Sequence, residues 1–545
     1  MKRLRKIRRQ RLLAAWLAIA ALAPAAALAP AAALAAEHEI HGSNDFSLTY
    51  NDVQGAGGSQ SSLTEGTRYL EILNLFGNGR AGGFDYNWNV GAKATDDRRN
   101  DQKTFSLTNL QGRLTNKIHT FTMGDTFESF SQYALNTAVK GGSYRFTPEQ
   151  THLPQVSLLY GIAYSRWDNF WGVDAVERQV IGGKIRQNIG PDFWIGLSGV
   201  QTDDHVRVNG GELTNHQTWA ADWEYRPIPG LTVSGESSWI NGKQSPGEGS
   251  PFDNYHGHAH KVVAVGDGGP SRVTLEYERV SPEFRTTVGS ATSDREKVKA
   301  KWRYKYSKDL SITTAMLWYH DNLDGQKAYG TDHYKPEIAL SLKKPFKRQY
   351  AVADVSYKLD RAYSPVMHSL DHYITMGYRD RFGLFDSDTT FGIIVYDQDN
   401  PANTDAKRKD VEFTYNTTLS SRHTVGRFVL KPSLYLGGWT HNDEVAENTD
   451  QIIEYSAGLG VDIPDLKITS TWKVGENRLL KEAGTDTAKT FASMNVFWRP
   501  DALQEVQGML YAKASVNDFR YDPNVASGSQ DFRETSVTAG ISIQF

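Results

Sequence analysis

Five cations occupy every second position of "KVKAKWRYK": Lys297, Lys299, Lys301, Arg303 and Lys305, with Val298, Ala300, Trp302 and Tyr304 between them. Successive side chains of an extended strand point to opposite sides, so this spacing gathers five positive charges on one face and an apolar face behind them. The chemistry open to such a face is electrostatic: pairing with carboxylates, selecting anions or docking an acidic partner. Glu276 and Glu278 share the polar face of the preceding segment, so a ladder of cross-strand ion pairs is one use of the column and anion selection or partner docking the other. "YHGHAHK" sets His256, His258 and His260 on one face, but an extended strand spreads them too far for this segment alone to hold one ion, so no metal site is expected. In "GDTFESFSQYALNTAVKGG", residues 124 to 142, alternation lapses beside Asp125 and Glu128, which fits an inward-folding constriction or an ordinary surface loop. No combination of serine, histidine and acid has a spacing that names a catalytic centre, and no enzyme activity or cofactor is expected.

The elements that must carry these residues are strands. In "IIEYSAGLGVDI", Ile453, Tyr455, Ala457, Leu459, Val461 and Ile463 alternate with Glu454, Ser456, Gly458, Gly460 and Asp462. Trp219, Ala221, Trp223 and Tyr225 alternate with Ala220, Asp222, Glu224 and Arg226 in the same way. An amphipathic helix needs spacings of three and four, which these segments lack. Compact turn signals such as "NIGPD", "RPIPG", "GDGGP" and "IPD" recur roughly every 40 residues, room for two strands and an opposite loop. The opposite connections, among them "NGKQSPGEGSPFDN" and "HDNLDGQKAYGTDHY", are longer and rich in Asp, Asn and Gly. A regular antiparallel meander of about 26 strands, within a range of 22 to 26, follows from that count.

The chain begins "MKRLRKIRRQR", seven Lys and Arg without an acid, followed by an alanine- and leucine-rich apolar stretch ending at Ala33-Leu34-Ala35. That is the build of a secretory signal peptide over residues 1 to 36, leaving 37 to 545 as one domain. Without these seven cations the balance is 53 Lys and Arg against 63 acids, a net charge of −10, which argues against nucleic acid as a partner. The absence of cysteine excludes disulfides, thiolate metal sites and covalent haem attachment. The mean hydropathy of −0.52 and the lack of a long apolar run after residue 36 leave strands as the only means of crossing a bilayer.

The last ten residues, "SVTAGISIQF", put Val537, Ala539, Ile541, Ile543 and Phe545 on one face and end on the aromatic ring. This stretch resembles the C-terminal assembly signal of Gram-negative outer-membrane β-barrels. The resemblance implies a transmembrane, all-β up-and-down barrel in the outer membrane, inserted by the barrel-assembly machinery and solvated by lipid. Short turns on one side, long polar loops on the other and 13 Trp, 26 Tyr and 23 Phe for interfacial girdles fit that class. Trp167, Phe170, Trp171, Trp239, Trp318, Tyr319, Trp439 and Trp498 fall near strand ends and are expected in the girdles. A barrel this large must be filled or leak, and strand-like sequence from "DFSLTY" at 45 to 50 leaves no room for a globular plug. The expected function is a porin-like channel passing small solutes by shape and lumen charge. Size and cysteine-free composition are also similar to the porin component of porin-cytochrome conduits, which implies a multihaem cytochrome as a partner in the lumen. A surface receptor or structural barrel is the third reading.

Overall fold

Period-two sequence closes here into a single antiparallel sheet. The computed structural model describes residues 38–163, 166–167, 176–206, 211–247, 249–401, 403, 407–522 and 530–545; the expected signal peptide, Phe170 and Trp171 lie outside them. Each strand pairs with its sequence neighbours, from His38–Gln54 to Phe532–Gln544, and these two then pair with each other. His423–Val425 continues Arg408–Ser421 along the same neighbour, Phe428–Asp443, so the closed barrel has 26 strands. Among the described residues no helix is long and apolar enough to cross a membrane.

The closing seam runs from Ser43 opposite Gln544 to Gln54 opposite Arg533, so the "DFSLTY" stretch at 45 to 50 pairs with the last strand. The Gly42 N–H donates to the Phe545 carbonyl at 2.6 Å, and the Phe545 N–H donates back at 2.9 Å. The Phe545 ring lies over Gly42, where a Cβ would come within 2.5 Å of it. An aromatic ring covering a bare backbone glycine is a known way of shielding a sheet edge. Closure leaves every strand with two partners, which hydrocarbon surroundings demand.

Alternation sorts the two faces. Leu197, Trp219, Trp239, Leu434, Leu436 and Val474 point outward and are each at least half exposed or close to it. That much exposed apolar area is what a lipid-facing belt presents and what a water-facing surface avoids. The inner face carries Ser, Thr, Asp, Glu and Lys at the opposite parity. Short connections such as 229–230, 269–270 and 383–384 share one rim with His38 and Phe545, and longer ones such as 281–294 and 322–331 share the other.

Parity also corrects the aromatic assignments. Trp239, Trp318 and Trp498 face outward, as a girdle requires. Tyr319 follows Trp318 directly and so must face the lumen, where it stacks on His333 at 4.2 Å between ring centres. Trp439 shares the inward parity of Tyr435 and His441, opposite Thr414, and is not a girdle residue. Trp167 is buried, with its indole N–H donating to Asp125 at 2.7 Å. His256, His258 and His260 share the outward face of Trp239, with His260 hydrogen-bonded to Ser237 at 3.0 Å. Among the described residues no group of three metal-binding side chains converges.

Candidate functional site: the lumen constriction

The segment after His119–Phe127 turns into the barrel. It closes a tight turn in which the Phe130 N–H donates to the Leu135 carbonyl at 3.2 Å and the Ala134 N–H to the Ser131 hydroxyl at 2.9 Å. A second segment, 281–294, leaves Ser271–Val280 and meets it. The Asn136 N–H donates to the Val288 carbonyl at 2.8 Å, and the Ser290 N–H to the Gln132 carbonyl at 2.7 Å. Gly289 is required at this contact, because a Cβ there would sit 1.9 Å from the Tyr133 carbonyl oxygen. Tyr133 and Phe284 meet edge to face at 5.7 Å.

Beneath the two segments the wall departs from the polar-inside rule. Val139, Leu159, Val180, Val200 and Ala220 bury Phe130, Ala134, Leu135 and Val288. Ile240, Tyr255, Ala259 and Val280 bury Tyr133 and Phe284. These nine positions come from eight consecutive strands, Ala138–Phe146 to Ser271–Val280, with Tyr255 and Ala259 both on Asp253–Gly268, and together they form a shelf. Each large side chain buried on it contributes about 1.5 to 3 kcal/mol to docking.

Charged side chains fix the register of the docked turn. Glu236 accepts from the N–H groups of Gln132 and Tyr133 at 2.9 and 3.0 Å. Glu278 accepts from the Tyr133 hydroxyl at 2.7 Å and from the Gln132 amide at 3.3 Å. Lys261 donates to the Gln132 side chain at 2.9 Å, and Lys184 bridges the Phe130 carbonyl to Asp222. Burial, then the Glu278 carboxylate, pushes the Tyr133 hydroxyl far above its ordinary range, so it remains a donor at all working pH.

The sequence-predicted residues divide between anchoring and open roles. Of the 124–142 segment, 124–127 and 138–142 belong to the barrel strands and only 128–137 packs against the inner wall, while Asp125 and Glu128 are wall anchors rather than acids presented to a passage. Asp125 binds Lys140 at 2.7 Å, the Leu110 N–H at 2.7 Å and Trp167. Glu128 accepts from Arg145 at 2.5 Å and Ser143 at 3.1 Å. Lys297 pairs with Glu276 at 2.9 Å and with Glu278, which ties the cation column to the docked turn. Lys299, Lys301, Arg303 and Lys305 face the same way and are exposed. Lys327 of the 322–331 loop holds the far end of 281–294 through Asp294 at 2.6 Å. Burial works against ionisation of Asp294, but Lys327 and the Leu323 N–H outweigh it and hold the carboxyl below its usual range.

Sequence reasoning missed Glu236, Lys184, Phe130, Tyr133 and the whole 281–294 segment. One signal was available: Ala220, Val200, Val180 and Ile240 are apolar at positions whose parity assigns them to the polar face. The two segments cover one arc of the inner wall with apolar side chains and narrow the lumen there.

No protein-family model matches the chain, and no curated protein matches it. Among solved structures it is similar to the anion-selective porin from Comamonas acidovorans at 16% identity, covering 52% of this chain and 89% of that one with a TM-score of 0.31. It is similar to Pseudomonas aeruginosa OpdK with vanillate at 10% identity, covering 93% and 99% with a TM-score of 0.30. It is also similar to the siderophore receptor PirA from Acinetobacter baumannii at 9% identity, covering 93% and 80% with a TM-score of 0.40.

Proposed function

We propose that this protein is an outer-membrane channel of a Gram-negative bacterium, passing small solutes through a lumen narrowed on one side by the 128–137 and 281–294 segments. The observation that carries this reading is an apolar outer belt around a polar interior that its own chain only partly fills. With strands ~4.8 Å apart and tilted ~40°, 26 of them close at about 50 Å between opposite backbones. Among the described residues, the two short segments dock against eight of the 26 strands and no other segment packs across the remaining wall. The outward parity of Val537, Ala539, Ile541, Ile543 and Phe545 supports lipid contact and delivery by the barrel-assembly machinery.

The same width favours a second reading, a sheath around a partner protein such as a multihaem cytochrome. Purification of the native complex in mild detergent separates the two. Large steady conductance in planar bilayers with no visible chromophore supports the channel. A stoichiometric haem absorption with little conductance supports the sheath and overturns the channel.

A further inference from the structure

We propose that Lys299, Lys301, Arg303 and Lys305 form an anion-binding track for small mobile anions, chloride and phosphate among them, running from the constriction to the short-turn rim. The proposal rests on the channel reading and deepens it by naming the charge of what passes. The column on Arg295–Lys305 splits functionally at its first member. Lys297 is consumed by Glu276 and Glu278. Among the described residues none of the other four has a carboxylate within ion-pair distance, although Glu276 stands opposite Lys299 in register, because that acid is drawn to Lys297 and to Lys261 at 3.6 Å.

Beyond Glu276, the positions facing the column on the flanking strands carry no acid. Lys301 and Arg303 face Thr274 and Arg272 on one side. On the other, Lys299, Lys301, Arg303 and Lys305 face Leu317, Ala315, Thr313 and Ser311. This contrasts with the constricted arc, where Lys140, Lys184, Arg145 and Arg178 each hold an acid. Along one strand the four cations stand ~6.8 Å apart. At that spacing neighbouring like charges repel one another, and more strongly in the lower dielectric of a narrowed lumen. A ladder for stability would carry alternating signs. A single-sign column open to the lumen is instead relieved by an anion, and successive sites of modest strength let that anion enter and leave.

The test is reversal potential in planar bilayers across a tenfold KCl gradient, using the full-length protein and a K299Q/K301Q/R303Q/K305Q variant. Folding of both is checked by heat-modifiable mobility, and K301Q alone provides a milder second variant. Expected results are an anion-selective wild type, a severalfold fall in the chloride-to-potassium permeability ratio in the quadruple variant, an intermediate fall in K301Q, and weaker inhibition of chloride current by added inorganic phosphate in both. Conductance with unchanged selectivity in the assembled variants, or a cation-selective wild type, overturns the track while leaving the channel. Absence of conductance from assembled wild type overturns the channel and the track together.

Discussion

At the scale of residues, docking of the inward turn rests on Glu236. Its carboxylate accepts two consecutive backbone N–H groups, and hydrogen bonds to a charged acceptor contribute about 1.5 to 3 kcal/mol each. Glu236→Ala should therefore weaken docking by about 3 kcal/mol or more, seen as frequent transitions to a larger single-channel conductance. An unaltered conductance trace would remove Glu236 from its assigned role. Asp294 gives the pH dependence. Its carboxyl is held below the ordinary carboxylate range, so its contribution to docking is complete above about pH 4 and disappears as the pH falls through its lowered value. Conductance fluctuations should rise only in strong acid, and Asp294→Asn should show them at neutral pH. Asp125 and Glu128 were legible as a break in alternation, yet their role was not, because it depends on Lys140, Trp167 and Arg145 folding onto them. Glu236 was invisible for the same reason: it is separated from its N–H partners by more than a hundred residues of sequence.

Strands were far more legible than the segments between them. Period-two patterning, turn spacing and the short-turn rim are local properties, and they placed strand number and closure where the structure has them. Loop docking is a property of facing surfaces and left only a trace, the apolar residues at inward parity such as Val180 and Ile240. Gly289 tests the element directly. Gly289→Val drives a side chain into the Tyr133 carbonyl and should release 281–294 from 128–137, read as new protease cleavage in both segments while the barrel stays heat-modifiable. Cleavage in neither would mean the contact is dispensable. At the closing strand, Phe545→Ser removes the ring over Gly42 and the apolar end of the outward face. Membrane-inserted yield should fall severalfold with unit conductance unchanged in the molecules that insert; normal yield would deny Phe545 any part in assembly.

For the molecule as a whole, the inner wall has two different parts. Among the described residues, an arc of eight strands is covered by the docked segments on an apolar shelf, and the longer remaining arc is polar and begins with the exposed cations of Arg295–Lys305. Heating should convert a compact, fast-migrating form to a slow one on a denaturing gel, as expected when a closed sheet resists detergent until its seam parts. The seam has a further consequence for how the polypeptide can be divided. Among the described residues, His38–Gln54 against Phe532–Gln544 is the one strand interface joining distant parts of the sequence; the others join neighbours along it. A chain cut in the exposed 444–447 connection therefore yields two self-contained curved sheets, each with a pair of complementary free borders. Two such fragments, produced as separate genes, each with its own export leader, have all the information required to find one another and zip into the complete cylinder.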